Sequence, residues 1–147
     1  MFINTHFANL IMTYNTLRDT YLQSRESFTN ILRASEELGL DDSRIVYLLE
    51  QEGLLGKNLY IMLSDLQRIQ RGDKGMLITS KKIGLDKSMI LFPLSILKQD
   101  IERIEEELEI ANGSANNNIK NAVTNYCHSL NKIDDIITDL KLEDLLK

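Results

Sequence analysis

Apolar residues recur every third or fourth position along most of this chain, in runs long enough to predict helices. Between residues 5 and 37, Phe7, Leu10, Tyr14, Leu17, Tyr21, Ser24, Phe28 and Ile31 step alternately by three and four. That spacing places one continuous seam along an α-helix. Leu22, Leu32 and Leu38 are expected to widen the stripe, as a helix inside a bundle requires. Thr5 is placed to cap the start, and Gly39 to stop the helix at its C′ position. The aromatic rings at 7, 14, 21 and 28 read as one side of a packing seam rather than as a ligand stripe. Tyr14 and Tyr21 belong at its edge, where their hydroxyls can find partners.

After Gly39 the pattern restarts. Asp41 or Asp42 can cap a short helix over about 42–54 carrying Ile45, Leu48 and Leu49, ended by Gly53 or Gly56. A second short helix over about 57–71 carries Leu59, Met62, Leu63, Leu66 and Ile69. Residues 72–86 read as a loop. The apolar runs 76–79 and 89–92 offer a minor β-hairpin within 76–92, but an isolated hairpin is marginal. The second run equally suits the first turn of the next helix, with Asp86 as its cap and Pro93 tolerated near its start.

The third part, about 87–145, predicts a helical hairpin. Ile90, Leu94, Leu97, Ile101, Ile104, Leu108 and Ala111 step by four and three without a miss. NGSANNN (112–118) is a turn by composition, and Ile119, Val123, Tyr126, Leu130, Ile133, Ile137 and Leu140 repeat the stepping. Two helices joined by a short polar turn pack antiparallel. The expected fold is therefore all-α: a single 1–147 bundle domain of three long amphipathic helices with coiled-coil-like packing, plus a short helical insert.

Composition agrees with this class. The chain has 147 residues, one proline, no tryptophan and seven glycines, too few breakers for a turn-rich β fold. The length suits one domain with a core of its own. A net charge of −5 repels a phosphate backbone, so extensive nucleic-acid contact needs a local basic patch. The lone Cys127 excludes an internal disulfide and fits a reducing compartment. The first residues lack a basic n-region, and the most apolar run, 89–97, is much shorter than the ~20 residues of a membrane helix. A cytoplasmic protein without membrane insertion is expected.

Candidate chemistry is sparse. His6 and His128 are the two histidines, and Cys127 and His128, as neighbours on a helix, point about 100° apart. The carboxylates of 100–109 lack the Glu-x-x-His pairs of di-iron bundles. No phosphate-binding glycine loop and no CxxC occurs. No catalytic, cofactor-binding or metal residue is assigned, and the chain is not expected to be an enzyme.

One electrostatic feature stands out. Arg68, Arg71, Lys74, Lys81, Lys82 and Lys87 gather just before an acidic helix. They are candidate partner contacts, or else a solvated loop that offsets the acids beside it. Residues 43–71 also spell helix, glycine turn, helix, but the second helix opens Leu59-Tyr60-Ile61-Met62-Leu63, too apolar to lie in a DNA groove. The function expected is a protein–protein interaction module, such as a small cytosolic adaptor, assembly factor or chaperone-like subunit, bound to another protein or to itself. The alternatives are a structural subunit self-assembling through the heptads of 90–111 and 119–140, and a nucleic-acid accessory protein using 68–87.

Overall fold

A computed structural model describes the backbone of residues 5–70, 87–112 and 117–140, and the side chains of 11–68, 87–109 and 119–140. Within these residues the chain is helical throughout, with no strand: α1 (Thr5–Glu37), α2 (Asp42–Gln70), α3 (Ser88–Asn112) and α4 (Asn117–Asp139). The loop expected over 72–86 and most of the alternative hairpin lie outside the described residues. Met89 to Phe92 belong to the first turns of α3.

The α1–α2 connection is a tight turn whose hydrogen bonds follow from two residues. Gly39 adopts φ +87°, a left-handed conformation open to glycine. Its N–H donates to Glu36 O at 3.2 Å, and Leu40 N–H donates to Ser35 O at 2.9 Å. This pair of bonds is a Schellman stop, which satisfies carbonyls that the ending helix would orphan. Asp41 then caps α2: its Oδ1 accepts from Ser43 N–H at 3.2 Å, and its carbonyl accepts from Arg44 and Ile45.

Cross-helix contacts fix the topology. Phe28 of α1 meets Tyr126 of α4, Arg44 near the start of α2 meets Asp100 and Glu107 of α3, and Asn58 of α2 meets Met89 at the start of α3. Lys87, just ahead of α3, reaches Thr138 near the end of α4. Each sequential pair therefore runs antiparallel, and α1 closes the ring against α4. Among the described residues, these four helices form an up–down–up–down bundle.

The seams expected on α3 and α4 form the core. Ile90, Leu94, Leu97, Ile101, Ile104 and Leu108 are buried against Ile119, Val123, Tyr126, Leu130, Ile133, Ile137 and Leu140. Leu17, Ser24, Phe28 and Ile31 of the α1 seam are buried too, with Tyr14 and Tyr21 half-buried at its edge. Arg18 lies over the Tyr14 ring at 5.6 Å.

Two expectations are corrected. Leu22 does not widen the α1 stripe but is exposed, because five residues after Leu17 it stands about 140° round the helix. The stripe widens on its other edge, through Thr20 and Ala34, while Ser35 continues the seam itself. More consequentially, the two short helices expected over 42–71 are one continuous helix of 29 residues that keeps both glycines inside it. Leu48, Leu55, Leu59, Met62 and Leu66 form one buried stripe across the supposed break. Burying each contributes about 1.5–3 kcal/mol, more than the ~1 kcal/mol that an interior glycine costs. There is accordingly no helix–turn–helix in this region, and the insert is a full member of the bundle.

Candidate interaction surface

Most of what the sequence offers as chemistry turns inward. Glu52 on the core face of α2 is 1% exposed, and its Oε2 accepts from the Tyr126 hydroxyl at 2.8 Å. Its Oε1 lies 3.4 Å from Arg25 Nη1, and the Tyr21 hydroxyl joins the same cluster. Burial is the main force on this group: it pushes the Glu52 carboxyl above the usual carboxylate range, against the Tyr126 and Arg25 contacts that favour the anion. Burial, reinforced by Glu52, pushes the Tyr126 hydroxyl well above its ordinary value. Phe28 packs on the Tyr126 ring with centroids 5.5 Å apart, so the cluster joins α1, α2 and α4, with Arg25 at its exposed edge. It can hold three helices in register.

Cys127, half-buried, is pushed up to about 11, chiefly by burial and by Glu102. Such a thiol is a poor nucleophile near neutral pH. Among the described residues no group of three or more His, Cys, Asp or Glu could hold a metal ion. No helix among them is long and apolar enough to cross a membrane. A half-open groove of about 390 Å³ runs between α1 and α4, lined by Asn30, Arg33, Glu37, Asn121 and Asn125 among others, and it is mainly polar.

The six cations expected to meet a partner divide in two. Arg71, Lys74, Lys81 and Lys82 lie outside the described residues. Arg68 pairs within its own helix with the buried Asp65 at 3.5 Å. Lys87 Nζ donates to Thr138 O at 3.0 Å, a cation on a carbonyl in the last turn of α4. The heptads of 90–111 and 119–140 are likewise unavailable for self-assembly where described: Ile101 and Ile104 are fully buried in the chain's own core.

Among the described residues, exposed apolar side chains concentrate on the outer face of α2. Val46, Tyr47, Leu49, Leu54, Tyr60 and Ile61 are all exposed, Tyr60 to 72%. At 100° per residue, Val46, Leu49 and Tyr60 fall on one flank of the face and Tyr47, Leu54 and Ile61 on the other. Between them stand Glu50 and Lys57, while Gly53 lies on the flank of Val46 and Tyr60. Neither charge has an ion-pair partner among the described residues. Met89, whose carbonyl meets Asn58, and Phe92 are also exposed, on the first turns of α3.

This face went unread in the sequence because the glycines were taken as a helix break. The signal was present nonetheless: over 45–63 apolar residues occupy more than one stripe of α2, more than a bundle helix needs for one core. Comparison with known protein families, with curated proteins and with solved structures finds no match to this chain.

Proposed function

We propose that the chain is a protein–protein interaction module, a small non-enzymatic helical adaptor or assembly subunit working in the reducing setting that a single cysteine suits. The observation that carries this reading is the outer face of α2. Six large apolar side chains are exposed along four turns of one helix while the bundle's own core is complete without them. Scattered surface apolar residues are ordinary, but a concentration on one face marks a contact surface. Tyrosines are enriched at such surfaces because one side chain supplies both apolar area and a hydroxyl.

The test is paired affinity capture from source-cell lysate, using the full chain and a Leu54→Glu, Tyr60→Glu variant. Both positions are exposed, so the variant is expected to keep its helical circular dichroism spectrum. A stoichiometric protein held by the parent chain and lost by the variant supports the reading. Identical captures from both chains, or none from either at stoichiometric yield, would count against this face.

A further inference from the structure

The outer face of α2 has a property that a surface built for an unrelated partner would not need. It is complementary to itself under a two-fold rotation. We infer that a second copy of this chain covers it, α2 packing antiparallel on α2 about an axis between Gly53 and Leu54. The inference rests on the interaction reading above and names the partner.

The argument begins with charge. Glu50 and Lys57 lie near the middle of the exposed face, seven residues and therefore about 10.5 Å apart along the helix, too far to pair with each other. They are the only charged residues exposed between Val46 and Ile61. They are opposite in sign and equidistant from the midpoint of Gly53 and Leu54. Reversing a second α2 about that midpoint sets each Glu50 level with the Lys57 of the other copy, giving two ion pairs per dimer. An isologous contact demands this reciprocity: residue i meets j and j meets i.

The apolar residues obey the same axis. A two-fold perpendicular to the paired helices keeps each flank of the face on its own side. On one flank Leu54 meets Leu54 of the second copy, and Ile61 comes level with its Tyr47. On the opposite flank Val46 comes level with Tyr60 of the second copy, and Gly53 meets Gly53. All six large residues thus find places, five of them opposite one another, with Leu49 alongside.

Gly53 supplies the independent observation. A glycine inside a helix costs about 1 kcal/mol relative to alanine, so one that persists needs a reason. Gly56 has one within the chain, since a Cβ there would run into the Tyr21 hydroxyl. Gly53 has none: a Cβ at this site meets nothing within 4 Å. It lies on the outer face, at the axis, where the absence of a side chain lets two helix backbones approach closely.

Sedimentation velocity on the purified full chain across the micromolar range tests the pairing. The parent chain should be a dimer in reversible equilibrium with monomer. Glu50→Lys and Lys57→Glu should each raise the dissociation constant at least about tenfold, because each opposes like charges at two symmetric places. The double reversal, Glu50→Lys with Lys57→Glu, should restore it. Gly53→Gln, a better helix former with a long side chain, should abolish dimerisation while leaving the helical spectrum intact. A chain monomeric throughout overturns the inference, as does a dimer indifferent to all these changes. Neither result decides the interaction reading, which stands or falls on the lysate capture.

Discussion

Asn58 Nδ2 donates to the main-chain carbonyl of Met89 at 2.7 Å, and this carbonyl is the one that Pro93 leaves without a helical donor. In an α-helix the N–H of residue 93 would bond to the carbonyl of 89, and proline has no N–H. The α2 side chain therefore supplies from outside what the α3 backbone lacks. The contact also pins the middle of α2 to the start of α3, setting the register of that antiparallel pair.

A double-mutant cycle checks this pairing. Asn58→Ala should cost about 1 kcal/mol, the net worth of an ordinary hydrogen bond at a partly hydrated site. With Pro93→Ala in place the carbonyl regains its own helical donor, and Asn58→Ala should then cost little. Equal costs in both backgrounds, read from urea unfolding midpoints, would refute the substitution of one donor for the other.

The buried Glu52–Tyr126 pair makes stability depend on pH in the sense opposite to ordinary acid unfolding. Burial raises the Glu52 carboxyl, so the folded chain holds that proton more tightly than the unfolded chain does. The resulting stabilisation is fully present below the unfolded glutamate range and is lost as pH climbs through the raised folded value. Glu52→Gln removes this dependence while still offering Tyr126 an acceptor. Measured against that variant, the parent chain should be relatively more stable in acid than near neutrality; a flat or reversed difference would sink the account.

Tyr126→Phe addresses the same pair from the other side. It leaves Glu52 Oε2 buried without its hydroxyl donor, at a cost of about 1–3 kcal/mol near neutral pH. It should also steepen the loss of stability with rising pH, since the Tyr126 bond is one of the contacts that favour the Glu52 anion. Urea titrations at several pH values between the glutamate range and neutrality read both effects. An unchanged slope would mean that the hydroxyl does not bear on the carboxylate.

The two glycines of α2 should respond to alanine with opposite signs. Gly53→Ala meets open space and gains helix propensity, so the monomer should become more stable by roughly 1 kcal/mol. Gly56→Ala drives a methyl into the Tyr21 hydroxyl, with Tyr21 Cζ only 3.4 Å away, and disturbs the contact of that ring with Glu52 and Arg25. It should be destabilising despite the same gain in propensity. Thermal unfolding of both variants at high dilution decides the matter: equal shifts would show that Tyr21 simply moves aside.

Local pattern carried much of this fold. The unbroken three–four stepping of α3 and α4 marked core positions, because helical period alone decides which side of a regular helix is buried. Gly39 and Asp41 could be read for the same reason, since each acts within a few residues of itself. The error over Gly53 and Gly56 has a physical source: propensity is a local term of about 1 kcal/mol, and the five buried residues of the α2 stripe outweigh it through contacts distant in sequence. Asn58 with Met89, and Glu52 with Tyr126, are pairings across 31 and 74 residues, and nothing local announces them. The candidate surface stayed hidden because it is defined by what the finished core leaves over.

Ser35 closes the first helix with its backbone while its side chain does nothing visible for the fold. Its carbonyl accepts from Leu40 N–H in the turn at Gly39, yet its hydroxyl is buried with no hydrogen-bond partner among the described residues. A buried hydroxyl without a partner forfeits its hydration for no return, a deficit of about 1–3 kcal/mol. Other hydroxyls on α1 avoid this by bonding back to the preceding turn, Thr20 to Thr16 O at 2.6 Å and Ser24 to Tyr21 O at 2.7 Å. Ser35→Ala should therefore stabilise the chain by about 1 kcal/mol and leave the turn intact, whereas Ser24→Ala should give a smaller gain or a loss. If Ser35→Ala instead destabilises, the hydroxyl has a partner, most simply an ordered water joining it to a nearby carbonyl, and the end of α1 is held by more than its Schellman turn.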